Sequence, residues 1–217
     1  MADDAINAFA FVGDDGQVSL MDAGLPYTGK RIDAGLKYLG SDTSEVTKIL
    51  VTHAHGDHVG GLARVASASG APVLSHTDDA NWLRLGQSPT IDSRIKFQPL
   101  LRRWGKYPAV EVAQTFTDGE LLDIAGGIRA IHTPGHTPGH TSFLHEPTGV
   151  LITGDAVHFW RGRIRIGIKL FCNDIELNEK SVQRFSELDY DGLAFTHGPE
   201  IRRDGKPAML AFIASRR

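Results

Sequence analysis

The chain of 217 residues carries 23 Lys and Arg against 26 Asp and Glu, a formal net charge of −3 that argues against a generally basic nucleic-acid binder. The length suits one domain over 1–217, the lone Cys172 excludes an internal disulfide framework, and no apolar run reaches the roughly 18–20 residues of a membrane span. Acid in the opening Met-Ala-Asp-Asp, where a secretion signal carries base, predicts a cytoplasmic protein.

Residues 7–12 and 17–22 read as strands joined by a turn at Asp14-Asp15-Gly16. Ile32, Leu36 and Leu39 recur at helical spacing over 29–39, with Gly40 as the stop. A buried strand over 46–52 precedes a helix over 57–68 that Gly70 closes. A short strand at 72–75 then leads into a helix over 77–85 with Thr77 as N-cap. Residues 86–109 are interrupted by Pro89, Pro99 and Pro108 but keep large apolar residues, with one short helical pattern at Leu100, Leu101 and Trp104. The stretch 77–109 therefore reads as a lid or insertion. Strands follow near 110–115, 120–124, 127–132, 141–145 and 149–153, then a helix at 175–188, a strand at 192–196 and a helix at 206–215. Strands first and strand–helix units afterwards predict sheets covered by helices in one α/β domain.

The ten histidines cluster, most densely in Thr52-His53-Ala54-His55-Gly56-Asp57-His58. A strand runs into this segment and a helix runs out of it. His53 and His55 are two apart, so on extended backbone they point the same way. Asp57 and His58 stand at a helix start, where neighbouring side chains diverge by about 100° and aim at different points. That pattern supplies two neighbouring metal ions from one loop, and imidazole with carboxylate suits zinc, iron or manganese. Three further segments end in the same way. His-Thr-Pro-Gly-His-Thr-Pro-Gly-His-Thr at 132–141, Thr-Gly-Asp at 153–155 and Thr-His-Gly at 196–198 each follow an apolar strand and place His136, Asp155 and His197 before a turn.

The order and spacing of these segments resemble the metallo-β-lactamase-fold hydrolases, most closely their glyoxalase II-like and lactonase-like branches, over Asn7 to Gly198. The resemblance implies a four-layer αββα sandwich with metals at one edge. By position, His53, His55 and His136 would hold a first metal and Asp57, His58 and His197 a second, with Asp155 bridging. Asp22, in Leu20-Met21-Asp22-Ala23-Gly24, would support the ligand loop from behind. True β-lactamases of this fold lack an aspartate at the position of Asp155, which argues against antibiotic hydrolysis as the native role. Only about 20 residues follow His197, so the C-terminal helical extension of glyoxalase II is expected to be missing and glutathione thioesters are disfavoured. Few residues precede Asn7, so a shortened edge of the first sheet is expected.

Of the remaining histidines, His140 reads as support for the His136 loop and His132 as a packing or hydrogen-bonding residue. His76 and His145 read as surface or rim residues, and His158, just past Asp155, is a candidate for the pocket. Phe159-Trp160-Arg161-Gly162-Arg163-Ile164-Arg165-Ile166 alternates base and aliphatic. A strand or hairpin there would put Arg161, Arg163 and Arg165 on one face, either a cationic pocket wall or a solvated face. Trp160 and Arg163 are pocket candidates on this basis, and Trp82, Phe97 and Trp104 could add apolar lining or core.

Two divalent ions, zinc foremost with iron or manganese as alternatives, would acidify a water from a pKa near 16 toward about 7. Asp57 would orient that nucleophile toward an ester, thioester or lactone carbonyl. The main rival is a mononuclear-iron oxidoreductase similar to persulfide dioxygenases, for which His53, His136 and Asp155 would suffice. A phosphodiesterase or nuclease of the same fold lacks a visible basic arm, and a non-catalytic metal-binding protein sits poorly with seven filled positions. The expected partner is a small-molecule substrate, with no nucleic acid or membrane, and self-association into a homo-oligomer is compatible with the chain.

Overall fold

The computed structural model of the chain describes residues 6–90 and 105–216. Strands β1 (Phe9–Val12), β2 (Val18–Met21), β3 (Val46–Leu50), β4 (Val73–His76) and β5 (Gln114–Phe116) form one sheet in that order. β1 and β2 are an antiparallel hairpin closed by Gly16 N–H donating to Gly13 O, and the other neighbours run parallel. β6 (Leu121–Leu122), β7 (Ile128–His132), β8 (Thr141–His145), β9 (Val150–Ile152) and β12 (Gly192–Ala194) form the second, in the order β12-β9-β8-β7-β6. β10 (Val157–Trp160) and β11 (Arg163–Ile166) form a hairpin of their own.

Strand side chains alternate faces, and the apolar residues of this chain occupy both. Val18 and Leu20 of β2, Ile49 of β3 and Val73 of β4 face outward onto Ile32 and Leu36 of α1 (Gly29–Tyr38). The same layer takes Leu62 and Val65 of α3 (Leu62–Ser69) and Ala80 and Leu83 of α4 (Thr77–Leu85). Their immediate neighbours Met21, Leu50 and Leu74 face inward and meet Ile128, Phe143 and Ile152 of the other sheet. Leu144, Leu151 and Leu193 face outward again, onto Val182 of α5 (Ile175–Val182) and Met209 and Ile213 of α6 (Gly205–Ala214). Three apolar layers between four layers of secondary structure make the αββα sandwich. Each buried Leu, Ile or Phe contributes about 1.5–3 kcal/mol, so the fold rests on these layers rather than on surface ion pairs.

Several local expectations are corrected. The helix expected over 57–68 is two helices, α2 (Gly56–Val59) and α3, because the chain breaks at Gly60-Gly61, where Gly61 N–H donates to Gly24 O. His76, not Thr77, caps α4: its Nδ1 accepts the N–H of Asp78. Leu39 lies past the end of α1 and is exposed, so only Ile32 and Leu36 anchor that helix. Of the expected lid, α4 belongs to the outer helical layer, while Phe97, Pro99, Leu100, Leu101 and Trp104 lie outside the described residues. Among the described residues no helix is long and apolar enough to cross a membrane.

Candidate metal centre

β3 ends at Leu50, and the chain turns at Thr52 because Asp22 holds it there. The Asp22 carboxylate accepts from Thr52 N–H at 2.9 Å and from the Thr52 hydroxyl at 2.7 Å. It also accepts from His58 Nδ1–H at 2.8 Å, which leaves His58 Nε2 facing the site. Asp22 itself adopts φ +61, a left-handed conformation that costs a non-glycine residue about 1–2 kcal/mol. Three charge-assisted bonds to a fully buried carboxylate offset that strain. His55 is the extended residue before α2, and the first turn of α2 carries Asp57 and His58. Ala23 N–H donates to His58 O, which ties this turn to the strand end that carries Asp22.

The other donors arrive from the second sheet. The loop between β7 and β8 brings His136 Nε2 to 2.9 Å from His55 Nδ1. This loop lies flat on α5: Asn173 N–H donates to His136 O and Asp174 N–H to Gly135 O. Any Cβ on Gly135, which has φ +125, would sit 2.2 Å from Asn178 N, so only glycine permits the approach. Asp155 follows β9 and is buried. Its Oδ1 lies 3.3 Å from His58 Nε2, and its Oδ2 lies 3.4 Å from His136 Nε2 and 3.3 Å from His197 Nε2. His197 follows β12, with Nε2 3.4 Å from Asp57 Oδ2. The ends of β3, β7, β9 and β12 thus meet at one edge of the sandwich.

The seven residues sort into overlapping groups whose donor atoms all lie within 4.8 Å of one another: His53, His55 and His136; Asp57, His58 and His197; and His53, His58 and Asp155. Asp155 therefore stands between the first two groups. Buried His53 Nε2 makes no hydrogen bond, whereas His58 Nε2 faces the Asp155 carboxylate. An orphaned buried nitrogen costs on the order of 1–3 kcal/mol, and its in-plane lone pair is what a divalent cation takes. The donor set fits such ions. A fourth group, His76, Asp78 and His132, does not: the two rings stack at 3.9 Å and 14° from parallel, so their lone pairs do not converge, and His132 Nε2 already meets Pro138 O at 2.8 Å.

The two halves differ electrostatically. Burial drives the pKa of His53 and His136 well below the ordinary value, with help from neighbouring imidazoles, and takes His55 to about 4. At His58 and His197 burial acts the same way, but the carboxylates of Asp155 and Asp57 outweigh it; His58 is raised well above the ordinary value and His197 to about 10. Asp155 and Asp57 are in turn held below the usual carboxylate range, against their own burial, by His58 and His197. The first half presents free lone pairs at neutral pH. The second holds protons that a bound cation would replace, so loading it releases protons.

Three supports went unread in the sequence. Asp79, fully buried on α4, accepts from Ala54 N–H (2.9 Å), the Thr137 hydroxyl (2.7 Å) and Gly139 N–H (2.7 Å), and so ties the His53–His55 segment to the His136 loop. Cys172 Sγ lies 3.6 Å from His136 Nδ1 and 3.4 Å from Ile168 O, and burial pushes its thiol up to about 12, so it stays protonated. Tyr107 donates to Gln87 O and reaches Ala54 O at 3.3 Å. His140 was expected to support the His136 loop. Its Nδ1 donates to Thr133 O, across the base of that loop, and its Nε2 also accepts from Asp155 N–H at 2.8 Å, so it fixes the turn that aims Asp155 as well.

A cavity of about 1000 Å³ opens over the donors, floored by Asp57, His136, Asp155 and His197. His158 and Trp160 border it, as expected. Arg163 is not among its lining residues; Arg161 is, because Arg161 and Gly162 form the turn between β10 and β11, both at positive φ, instead of continuing a strand. Trp82 packs in the outer helical core. The hairpin is pinned to the donor edge by Phe159 N–H donating to His197 O at 3.0 Å. A Cβ on Gly198, at φ +114, would lie 2.0 Å from Phe159 O, so this contact requires glycine.

The sequence model of the Metallo-beta-lactamase superfamily matches residues 2–197. Among relatives, the chain is 35% identical over 155 residues to the uncharacterized protein YobT of Bacillus subtilis, covering 71% of this chain and 63% of YobT, less than two thirds of that relative's length. It is 25% identical over 192 residues to the probable metallo-hydrolase YybB of the same organism, covering 88% of this chain and 80% of YybB. The metallo-β-lactamase MIM-1 of Novosphingobium pentaromativorans superposes with a TM-score of 0.73 at 22% identity, over 97% of this chain and 81% of that one, a likeness of fold.

Proposed function

The chain belongs to the metallo-β-lactamase superfamily, among metallo-hydrolases, and from that premise we propose that it hydrolyses an ester, thioester or lactone at a two-ion centre. The observation that carries this reading is the pair of three-donor groups meeting at Asp155, with His53 Nε2 buried and without a hydrogen bond. His53, His55 and His136 would hold one ion, Asp57, His58 and His197 the other, and Asp155 both. We assign zinc to both positions, because imidazole and carboxylate donors suit it. Such ions supply an acidified water and polarise a carbonyl oxygen.

The chain's own residues do the rest. Asp57 is the donor-set carboxylate most open to the cavity, with 39% of its side chain exposed against 7% for Asp155. It takes the proton of the attacking water and returns it to the leaving oxygen or sulfur. Asp155, held by the Thr196 hydroxyl at 2.6 Å and by His140, fixes the distance between the halves. The completeness of the second half favours hydrolysis over one-iron oxygen chemistry, and the seat of Asp155 supports placing the chain beside the glyoxalase II-like and lactonase-like branches.

The test is metal analysis of the purified chain with hydrolysis of 4-nitrophenyl acetate, a thioester and a γ-lactone before and after chelation and zinc reloading. Two zinc per chain and zinc-restored turnover are expected, with Asp57→Ala at least about 100-fold slower. One iron with oxygen uptake, or an Asp57→Ala variant of full metal content and unchanged rate, would overturn the reading.

A further inference from the structure

The mouth of the cavity is unusual for a water-exposed surface. Trp160 is 55% exposed, Ile168 46% and Phe171 40%, and all three border it together with Leu25, Pro26 and Phe159. Exposed aromatic and aliphatic side chains gathered at the rim of a catalytic cleft leave apolar area for a ligand to cover. The polar groups in the same wall are few. His158 is 7% exposed, and neither of its ring nitrogens has a hydrogen-bond partner. Both ring nitrogens are themselves buried, so the ring packs in the wall beside His197, at 5.2 Å between ring centroids. Among the described residues, Lys106 and Arg161 are the lining cations, and the lining carboxylates, Asp57 and Asp155, belong to the donor set on the floor. Charge is thus divided by depth: acid beneath, where cations would sit, and base at the rim.

We propose, resting on the hydrolase reading above, that the substrate is an amphiphilic acyl compound. Its reacting carbonyl lies over the donor set; an extended hydrocarbon arm covers Trp160, Ile168 and Phe171, and an anionic group at the far end meets Arg161 and Lys106. A short neutral ester would use only the floor. An apolar arm adds binding in proportion to its length, about fourfold for each fully buried methylene. An apolar arm with a cationic end would meet Arg161 and Lys106 with like charge. The hairpin turn at Arg161-Gly162 is what brings a guanidinium to this position, beside the Trp160 ring at 5.9 Å.

The experiment uses the zinc-loaded chain and measures kcat/KM for 4-nitrophenyl acetate, butyrate, hexanoate and octanoate, then for mono-4-nitrophenyl esters of dicarboxylic acids of matched length. A rise of at least tenfold from acetate to octanoate is expected, carried by KM, with a further gain for the carboxylate-ended esters. Trp160→Ala and Phe171→Ala should cut the octanoate-to-acetate ratio by at least threefold. Arg161→Gln should abolish the gain from the terminal carboxylate. A chain-length profile that is flat or falling, with acetate turned over, overturns this inference alone. Absence of zinc-dependent turnover for every ester overturns the hydrolase reading on which it rests.

Discussion

Asp22, at the end of β2, and Asp79, on α4, are both fully buried carboxylates, and each accepts three hydrogen bonds from the loops that carry the donors. They hold different things. Asp22 touches a donor imidazole directly and decides which nitrogen of His58 faces the site. Asp79 touches no donor side chain; it gathers Ala54, Thr137 and Gly139, and so sets the distance between a loop of the first sheet and a loop of the second. One carboxylate tunes a ligand, and the other keeps two halves of a frame together. A buried acid near a metal site therefore has no single meaning until its partners are named.

This contrast can be broken experimentally. Asp22→Ala leaves His58 Nδ1 and Thr52 N–H without an acceptor and frees the ring to turn. Loss of such an outer partner should weaken zinc binding by about 10–100-fold in chelator competition. Retained affinity would remove Asp22 from the site's chemistry. Asp79→Asn keeps one oxygen but sets an NH₂ group against a backbone N–H, which should cost about 2 kcal/mol and lower Tm by about 4–8 °C. Its zinc affinity should change less than that of Asp22→Ala, and the reverse order would erase the distinction.

The smallest expected effect concerns a third link between the sheets, the stacked rings of His76 at the end of β4 and His132 at the end of β7. Burial, with His132 alongside, lowers the His76 pKa, against weaker opposing effects from Asp78 and Asp118. Because the folded value lies below the unfolded one near 6.5, the unfolded chain takes up the proton first. Stability should therefore fall as the pH drops below about 6.5. Thermal scans at pH 7.5 and 5.5 should show a smaller loss in His76→Gln than in the parent chain; equal losses would show that the stack does not sense acid.

How much of this was legible in the sequence follows from how far apart interacting residues lie. The layers were readable because successive residues such as Leu50 and Val51, or Phe143 and Leu144, reach different cores through simple alternation. The candidate donors stood out because each follows an apolar strand and precedes a turn, a local pattern. Asp79 was invisible because its partners lie 25, 58 and 60 positions away, and only the fold makes them neighbours. Cys172 likewise reaches His136 across 36 positions. The choice of Arg163 over Arg161 for the pocket is different: Gly162 was a turn signal in plain view, outweighed by the alternation of base and aliphatic that followed. The same holds for Gly60-Gly61, which split an expected helix.

The β10–β11 hairpin belongs to neither large sheet, and it meets the donor edge where Phe159 and Gly198 touch. Its tip, Trp160 to Arg163, can therefore be exchanged in length and side chain without shifting a ladder that aligns a donor. The catalytic floor and the recognition wall are separately inheritable parts. A library confined to these four residues would explore new specificities on an unchanged engine, and natural lineages have the same route open to them.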